Sequence, residues 1–344
     1  MRTTSSKVTL LIPVRRADGQ LHKCLASVMT GTVVPQIILM DCTAEAGALN
    51  SVRGRYPQIR IFDMQMNPGR AHAVNTGIHI TRTPYVMTLS PGLAVGKHCV
   101  EKLCEALDRD SSLLSAQGKI LSAEDPSRLA GAGWLLDLAA RPVIRGKGAR
   151  AISFAGRKRI AAAQMDCAVY RMEYLEVTGL MDERYYARLE DLDLGIRGCL
   201  AGFGNLYEPA AVCRETGKSS LTDFYRQLEV GNLVYLRYKY GFKELRLPWK
   251  KPEAGQEAAL ERGRMLCFMA ELEMMEKEEL GMTVTKQTLP EEFYMEIRKD
   301  GPSGVYPLYV GERDGGMASG IPDYLRMYAG MAKGTAEKLR NLCS

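Results

Sequence analysis

The chain has 344 residues, 46% of them hydrophobic and 25% charged, with a formal net charge of +6. Such a composition suits an ordinary globular protein of one large or two smaller domains, and it excludes a disordered chain. Nine cysteines without a C-x-x-C pair argue for free thiols rather than a disulfide scaffold or zinc finger, and no basic, aromatic-interleaved motif marks a nucleic-acid reader.

From the N-terminus, short apolar runs alternate with amphipathic stretches. Val8–Val14, Ile37–Met40, Ile59–Met64 and Tyr85–Leu89 read as strands, and Gln20–Met29, Ala46–Tyr56 and Ala71–Ile80 as helices between them. A further helix is expected near His98–Asp108, where Val100, Leu103, Cys104 and Leu107 share a face, and further strands at Leu113–Leu121 and Met165–Tyr170. This alternation predicts an α/β fold with a mostly parallel sheet covered by helices on both faces. The strands lack strict period-two polarity, as expected of strands buried on both sides.

Between Arg141 and Ile160 the chain carries Arg141, Arg145, Lys147, Arg150, Arg157, Lys158 and Arg159 and no acid, with glycines interspersed. The segment reads as a mobile basic loop, either a flap over a phosphate-bearing ligand or a solvated surface. Composition shifts near residue 245: Leu247–Pro252 reads as a linker, Gln256–Leu280 as a Met- and Glu-rich helix, and Pro322–Leu342 as one or two helices in a glycine-rich tail. The expected division is therefore 1–244 and a mainly helical extension, 245–344. No apolar run reaches the length of a membrane span and no signal-peptide core follows Met1, so a cytoplasmic protein is expected, with peripheral contact to the inner membrane face compatible with its charge.

The segment Met181–Gly204 is the most informative. Glu190, Asp191 and Asp193 open a stretch in which Leu192, Ile196, Leu200 and Phe203 recur at helical spacing, ending on Gly202 and Gly204. Carboxylates at a helix N-terminus are favoured by its dipole. They are placed either for general-base work or simply as an acidic cap. Like charges so close together would raise the pKa of a base.

The order of motifs resembles the family 2 glycosyltransferases, inverting nucleotide-sugar enzymes with the Rossmann-like GT-A fold. The resemblance rests on Lys7–Arg16, on Ile37–Asp41, on Asn67-Pro-Gly-Arg-Ala-His-Ala-Val-Asn75 with Tyr85–Gly92, and on Asp182-Glu183 and Glu190-Asp191 followed by Tyr207–Val212. It implies that Asp191 is the base, with Glu190 as its alternate. It also implies that Pro13, Arg15, Asp41, Arg70, Ser90 and Gly92 line the nucleotide-sugar site. The implied partners are a nucleotide-sugar donor and a glycan, polysaccharide or lipid-linked acceptor, with no nucleic acid.

One part of the pattern is broken. Family members usually carry an acidic pair after the Tyr85–Leu89 strand to hold a divalent metal, and here Ser90-Pro91-Gly92 stands there. Many also place a histidine where this chain has Arg214. A magnesium or manganese cofactor is thus implied by the resemblance but lacks its expected ligands. Arg214 and Lys218 are the candidates to stabilise the diphosphate instead. The alternative is a GT-A-like module that binds or assembles without transferring. A dinucleotide oxidoreductase is disfavoured because no G-x-G-x-x-G turn follows the first strand.

Overall fold

A computed structural model describes residues 3–43, 45–136, 142–217, 223–240 and 256–279. Arg141, Lys218, the linker at 247–252 and the tail helices at 322–342 lie outside the described residues. By contact the described residues divide into two compact units, one holding 3–217 and the other 223–240 and 256–279.

In the first unit, strands β1 (Thr3–Val14), β2 (Val33–Asp41), β3 (Arg60–Asp63) and β4 (Tyr85–Leu89) alternate with helices α1 (Gly19–Met29), α2 (Asn50–Arg55) and α3 (Arg70–His79). There follow β5 (Leu93–Val95), α4 (Cys99–Arg109), β6 (Leu113–Leu121), β7 (Leu129–Gly131), β8 (Trp134–Leu136), β9 (Pro142–Ile144) and β10 (Lys158–Ile160). The unit ends with β11 (Cys167–Arg171), α5 (Met172–Thr178), α6 (Glu190–Leu200) and β12 (Gly204–Glu215). The central sheet has ten strands and the main order β10-β12-β6-β11-β4-β1-β2-β3. Strands β1, β2, β3, β4, β6 and β12 run one way and β11 and β10 the other.

Side-chain alternation along β1 divides the core. Val8, Leu10, Ile12 and Val14 enter a cluster with α1, α2 and α4, whereas Leu11 enters a second cluster with α3, α5 and α6. Helices therefore cover both faces, which is why the strands read as continuous apolar runs. Local chemistry sets the boundaries. Asp18 caps α1 by accepting from the N–H groups of Gln20 and Leu21. Gly69, at φ +94°, admits the turn into α3.

Two expectations are corrected. The helix expected over Ala46–Tyr56 shortens to α2, the residues before it forming turns. The basic stretch is not a free loop. It holds β9, a short 3₁₀ turn at Ala151–Phe154 and β10, which pairs with β12. Arg145 is buried with its guanidinium 4.8 Å and 5.1 Å from the ring centres of Phe154 and Tyr207, Arg157 pairs with Glu208 at 2.5 Å, and Arg159 with Asp110 at 2.7 Å. Charges used in this way cannot act as a loose flap.

The second unit contains α7 (Asp223–Lys239), which sequence periodicity did not single out, and α8 (Gln256–Glu279). The two helices pack on each other at Gly231 and Gly263: a Cβ at Gly263 would lie 2.6 Å from the carbonyl oxygen of Gly231. Among the described residues no helix is long and apolar enough to cross a membrane.

Candidate active site

The sheet brings one set of strand ends to a common edge. Val14, Asp41 and Asp63 are in register at the carboxyl ends of β1, β2 and β3. Leu89 ends β4 beside Cys167, the first residue of β11, and Arg214 lies beside Leu121 at the ends of β12 and β6. Open α/β sheets bind ligands at this edge.

Two loops interlock over it. Ala71 N–H donates to the Tyr186 carbonyl at 3.1 Å, and the Tyr186 hydroxyl donates to the Asn67 carbonyl at 3.2 Å. A Cβ on Gly69 would fall 2.6 Å from the Tyr186 ring. The second loop is conformationally costly: Tyr186, Arg188 and Leu189 have φ of 62°, 77° and 70°, each at roughly 1–3 kcal/mol for a non-glycine residue. Asn75 restrains the approach to this loop, donating to Glu183 Oε1 and the Met181 carbonyl and accepting from Met181 N–H. Glu183 also meets His72 Nδ1 at 2.7 Å. Asp182 caps the 3₁₀ turn at Glu183–Tyr185 by accepting from Arg184 N–H.

The latch delivers Arg70 to a group of carboxylates. Its Nε donates to Glu190 Oε1 at 2.5 Å, its Nη1 lies 3.5 Å from Asp166 Oδ1, and its Nη2 lies 3.9 Å from Asp191 Oδ2. Burial opposes the guanidinium charge, but the three carboxylates more than offset it and raise the Arg70 pKa further. Glu190 and Asp191 are 0% and 2% exposed. Asp191 accepts from Met165 N–H at 3.0 Å and from Leu192 N–H at 2.9 Å, one bond to each oxygen. Burial pushes its pKa up to about 6; Arg70 opposes the shift and the adjacent Glu190 adds to it. Asp193 belongs elsewhere, pairing with Arg197 at 2.9 Å along the helix.

Of the residues expected at the site, Glu190, Asp191 and Arg70 come together. Arg70 points inward to these carboxylates rather than standing free for a nucleotide. Pro13 is half-buried at the end of β1, and Arg15 is exposed just beyond it. Asp41 accepts from Thr43 N–H and from the Thr43 hydroxyl through one oxygen, closing a local turn. The Gly92 carbonyl accepts from Thr216 N–H and hydroxyl, fastening the turn after β4 to the end of β12. Arg214 is exposed on β12, opposite Ala94. Lys218 is outside the described residues.

Asp166 was not anticipated. Ser90 Oγ donates to its Oδ1 at 2.5 Å, and Ser90 N–H donates to its carbonyl at 2.9 Å. An aspartate immediately before an apolar strand, Asp166-Cys-Ala-Val-Tyr170, was the available signal. A divalent metal does not fit this arrangement. Ser90-Pro91-Gly92 offers no carboxylate, the three acids nearby converge on a guanidinium, and among the described residues no three His, Cys, Asp or Glu side chains are placed to hold a metal ion.

No family model matches the chain, and no curated protein matches it in sequence. Solved structures do. GalNAc-T7, determined with UDP, GalNAc and Mn²⁺, is 12% identical over 74% of this chain and 54% of its own, with a TM-score of 0.53. The mannosyltransferase PcManGT from Pyrobaculum calidifontis, in complex with GDP-Man and Mn²⁺, is 13% identical over 86% and 84%, with a TM-score of 0.49. Residues 1–349 of TarS from S. aureus are 10% identical over 77% and 80%, with a TM-score of 0.47. The chain spans about half the length of GalNAc-T7. At such identities the likeness is one of fold, and that fold is the GT-A α/β fold of glycosyltransferases.

Proposed function

We propose that this chain is an inverting glycosyltransferase of the family 2 type. It moves a sugar from a nucleotide diphosphate-sugar to a hydroxyl of a glycan, polysaccharide or lipid-linked acceptor, in the cytoplasm and at the inner face of the cell envelope. The observation that carries the reading is Asp191. It sits at the ligand-binding edge of a GT-A sheet, held by a backbone N–H on each oxygen, with a pKa of about 6. Such a carboxylate is ionised at neutral pH and still basic enough to accept a proton.

The chemistry is a single displacement. The acceptor hydroxyl gives its proton to Asp191, and its oxygen bonds to the anomeric carbon from the face opposite the diphosphate. The bond from that carbon to the diphosphate oxygen breaks, and the electron pair leaves with the diphosphate. Asp41, Pro13 and Arg15 hold the nucleoside, and Ser90 and Gly92 line the path to the sugar. Arg214 and Lys218 stabilise the developing phosphate charge, because Arg70 is engaged by its carboxylates. No step is assigned to a metal.

The test incubates the purified full chain with UDP- and GDP-hexoses and glycan or lipid-phosphate acceptors, following diphosphate release and the anomeric configuration of the product. Release with inversion, lost in Asp191→Asn while donor binding persists, supports the reading. Donor binding without release in any pairing favours a second one, an inactive binding or assembly module. The near-complete burial of Asp191 speaks for that alternative.

A further inference from the structure

The order of strands lays out the ligand. Along the carboxyl edge β2, β1, β4 and β11 are consecutive, three strand spacings or roughly 14 Å. Asp41 and Arg15 stand at the β2 and β1 end of this row. Asp166 and the buried base stand at the β11 end. A nucleotide sugar laid across the edge, nucleoside on β1 and β2, therefore carries its sugar to β11.

Asp166 has the properties of a group waiting for that sugar. Of the three carboxylates around Arg70 it alone is open, its side chain 35% exposed against 0% and 2% for Glu190 and Asp191. Ser90 and Arg70 both engage Oδ1. Among the described residues Oδ2 has no hydrogen-bond partner, so a carboxylate fixed through one oxygen keeps a second acceptor on a partly exposed side chain. A second atom points the same way. Glu190 Oε2 is buried without a hydrogen-bond partner, so the carboxylates around Arg70 are short of a donor. Buried acceptors left unpaired are costly, and a polyhydroxylated ligand brings donors.

Resting on the glycosyltransferase reading, the geometry points to Asp166 as the carboxylate that receives hydroxyl groups of the transferred sugar, and so as a determinant of donor-sugar affinity. It stands one strand from the absent acidic pair of β4, held by Ser90 from that turn. Sharing Arg70 with Glu190 and Asp191, it also places the sugar next to the base.

Calorimetric titrations of the wild-type full chain, Asp166→Asn and Asp166→Ala separate the possibilities. The probes are UDP, GDP, UDP-glucose, UDP-N-acetylgalactosamine and GDP-mannose. Expected is a sugar nucleotide whose affinity for wild type exceeds that of its bare diphosphate. Asp166→Ala should remove most of this advantage, about tenfold or more for a hydrogen bond to a charged acceptor, and leave binding of the bare diphosphate unchanged. That unchanged binding also shows that the variant is folded. Asp166→Asn should fall between. Equal losses for diphosphate and sugar nucleotide would assign Asp166 to holding the Ser90 turn, and no loss would remove it from the site; either overturns the inference while the function stands. Failure of every probe to bind wild type would overturn the function itself, and this inference with it.

Discussion

One guanidinium among three carboxylates defines the chemistry at the residue scale. Arg70 cannot be removed cheaply, since Glu190 and Asp191 would remain buried and uncompensated, a loss of about 3–5 kcal/mol for a broken buried pair. Arg70→Met should therefore be strongly destabilised at pH 8 in urea unfolding. The deficit should narrow at pH 5, where Asp191 takes up a proton and one of the two buried charges is removed; a deficit independent of pH would mean that Asp191 is not what Arg70 balances. Asp191 makes a second prediction. With its pKa raised to about 6, it is deprotonated and competent as a base above that pH and loses this role as pH falls through it. The kcat/KM of transfer should fall below about pH 6, and Asp191→Asn should lower kcat by roughly 10²–10⁴. A flat acidic limb in the pH–rate profile of wild type would exclude Asp191 as the base.

Among the elements, α6 shows how closely the base must be placed. Its glycine Gly198 faces β6 of the sheet, and Gly195 faces the segment that follows β10. A Cβ at Gly195 would lie 2.2 Å from Ala162 Cβ and one at Gly198 would lie 2.4 Å from Leu114 Cδ2. The Gly195 carbonyl also accepts from Asn205 Nδ2 at 3.2 Å. On an exposed helix, glycine to alanine stabilises by about 1 kcal/mol. Here Gly195→Ala should do the opposite, costing about 1–3 kcal/mol through overpacking, and a thermal melt reads the sign directly. A stabilised variant would mean that α6 stands further from the sheet. The helix itself was legible from the spacing of Leu192, Ile196 and Leu200, and its acidic first turn from Glu190, Asp191 and Asp193. Its contact partners were not, because Leu114 on β6 and Ala162 after β10 are brought to it only by the tertiary fold.

For the whole molecule, the GT-A architecture and the inward-facing arginine together bear on cofactor dependence. A nucleoside diphosphate that binds only the folded chain should raise its stability by about 2.7 kcal/mol at 100 times the dissociation constant. The shift should be the same in EDTA as in manganese, because Arg214 and Lys218, and not a metal, are the groups proposed to meet the diphosphate. Stabilisation that vanishes with EDTA would reverse the conclusion that the carboxylates here do not suit a metal. The basic stretch follows the same logic. Read as charge per length it was a mobile loop, either a flap or a solvated surface, yet in the fold Arg145, Arg157 and Arg159 are engaged by rings and carboxylates outside their own strands.

By itself the sequence determined the alternation of β1 to β4 with their helices, α4, β6 and β11, the doubly covered sheet and the acidic opening of α6, all of which depend on residues within a few positions of one another. Local hydrophobic period and capping chemistry specify such features. Tertiary structure alone decided that Arg70 faces carboxylates instead of solvent and that Asp166 stands beside Ser90. Arg70 and Glu190 are 120 positions apart, and Ser90 and Asp166 are 76 apart. Charges at such separations meet only when β4, β11 and the two latched loops close on one edge, where burial sets their partners and their protonation.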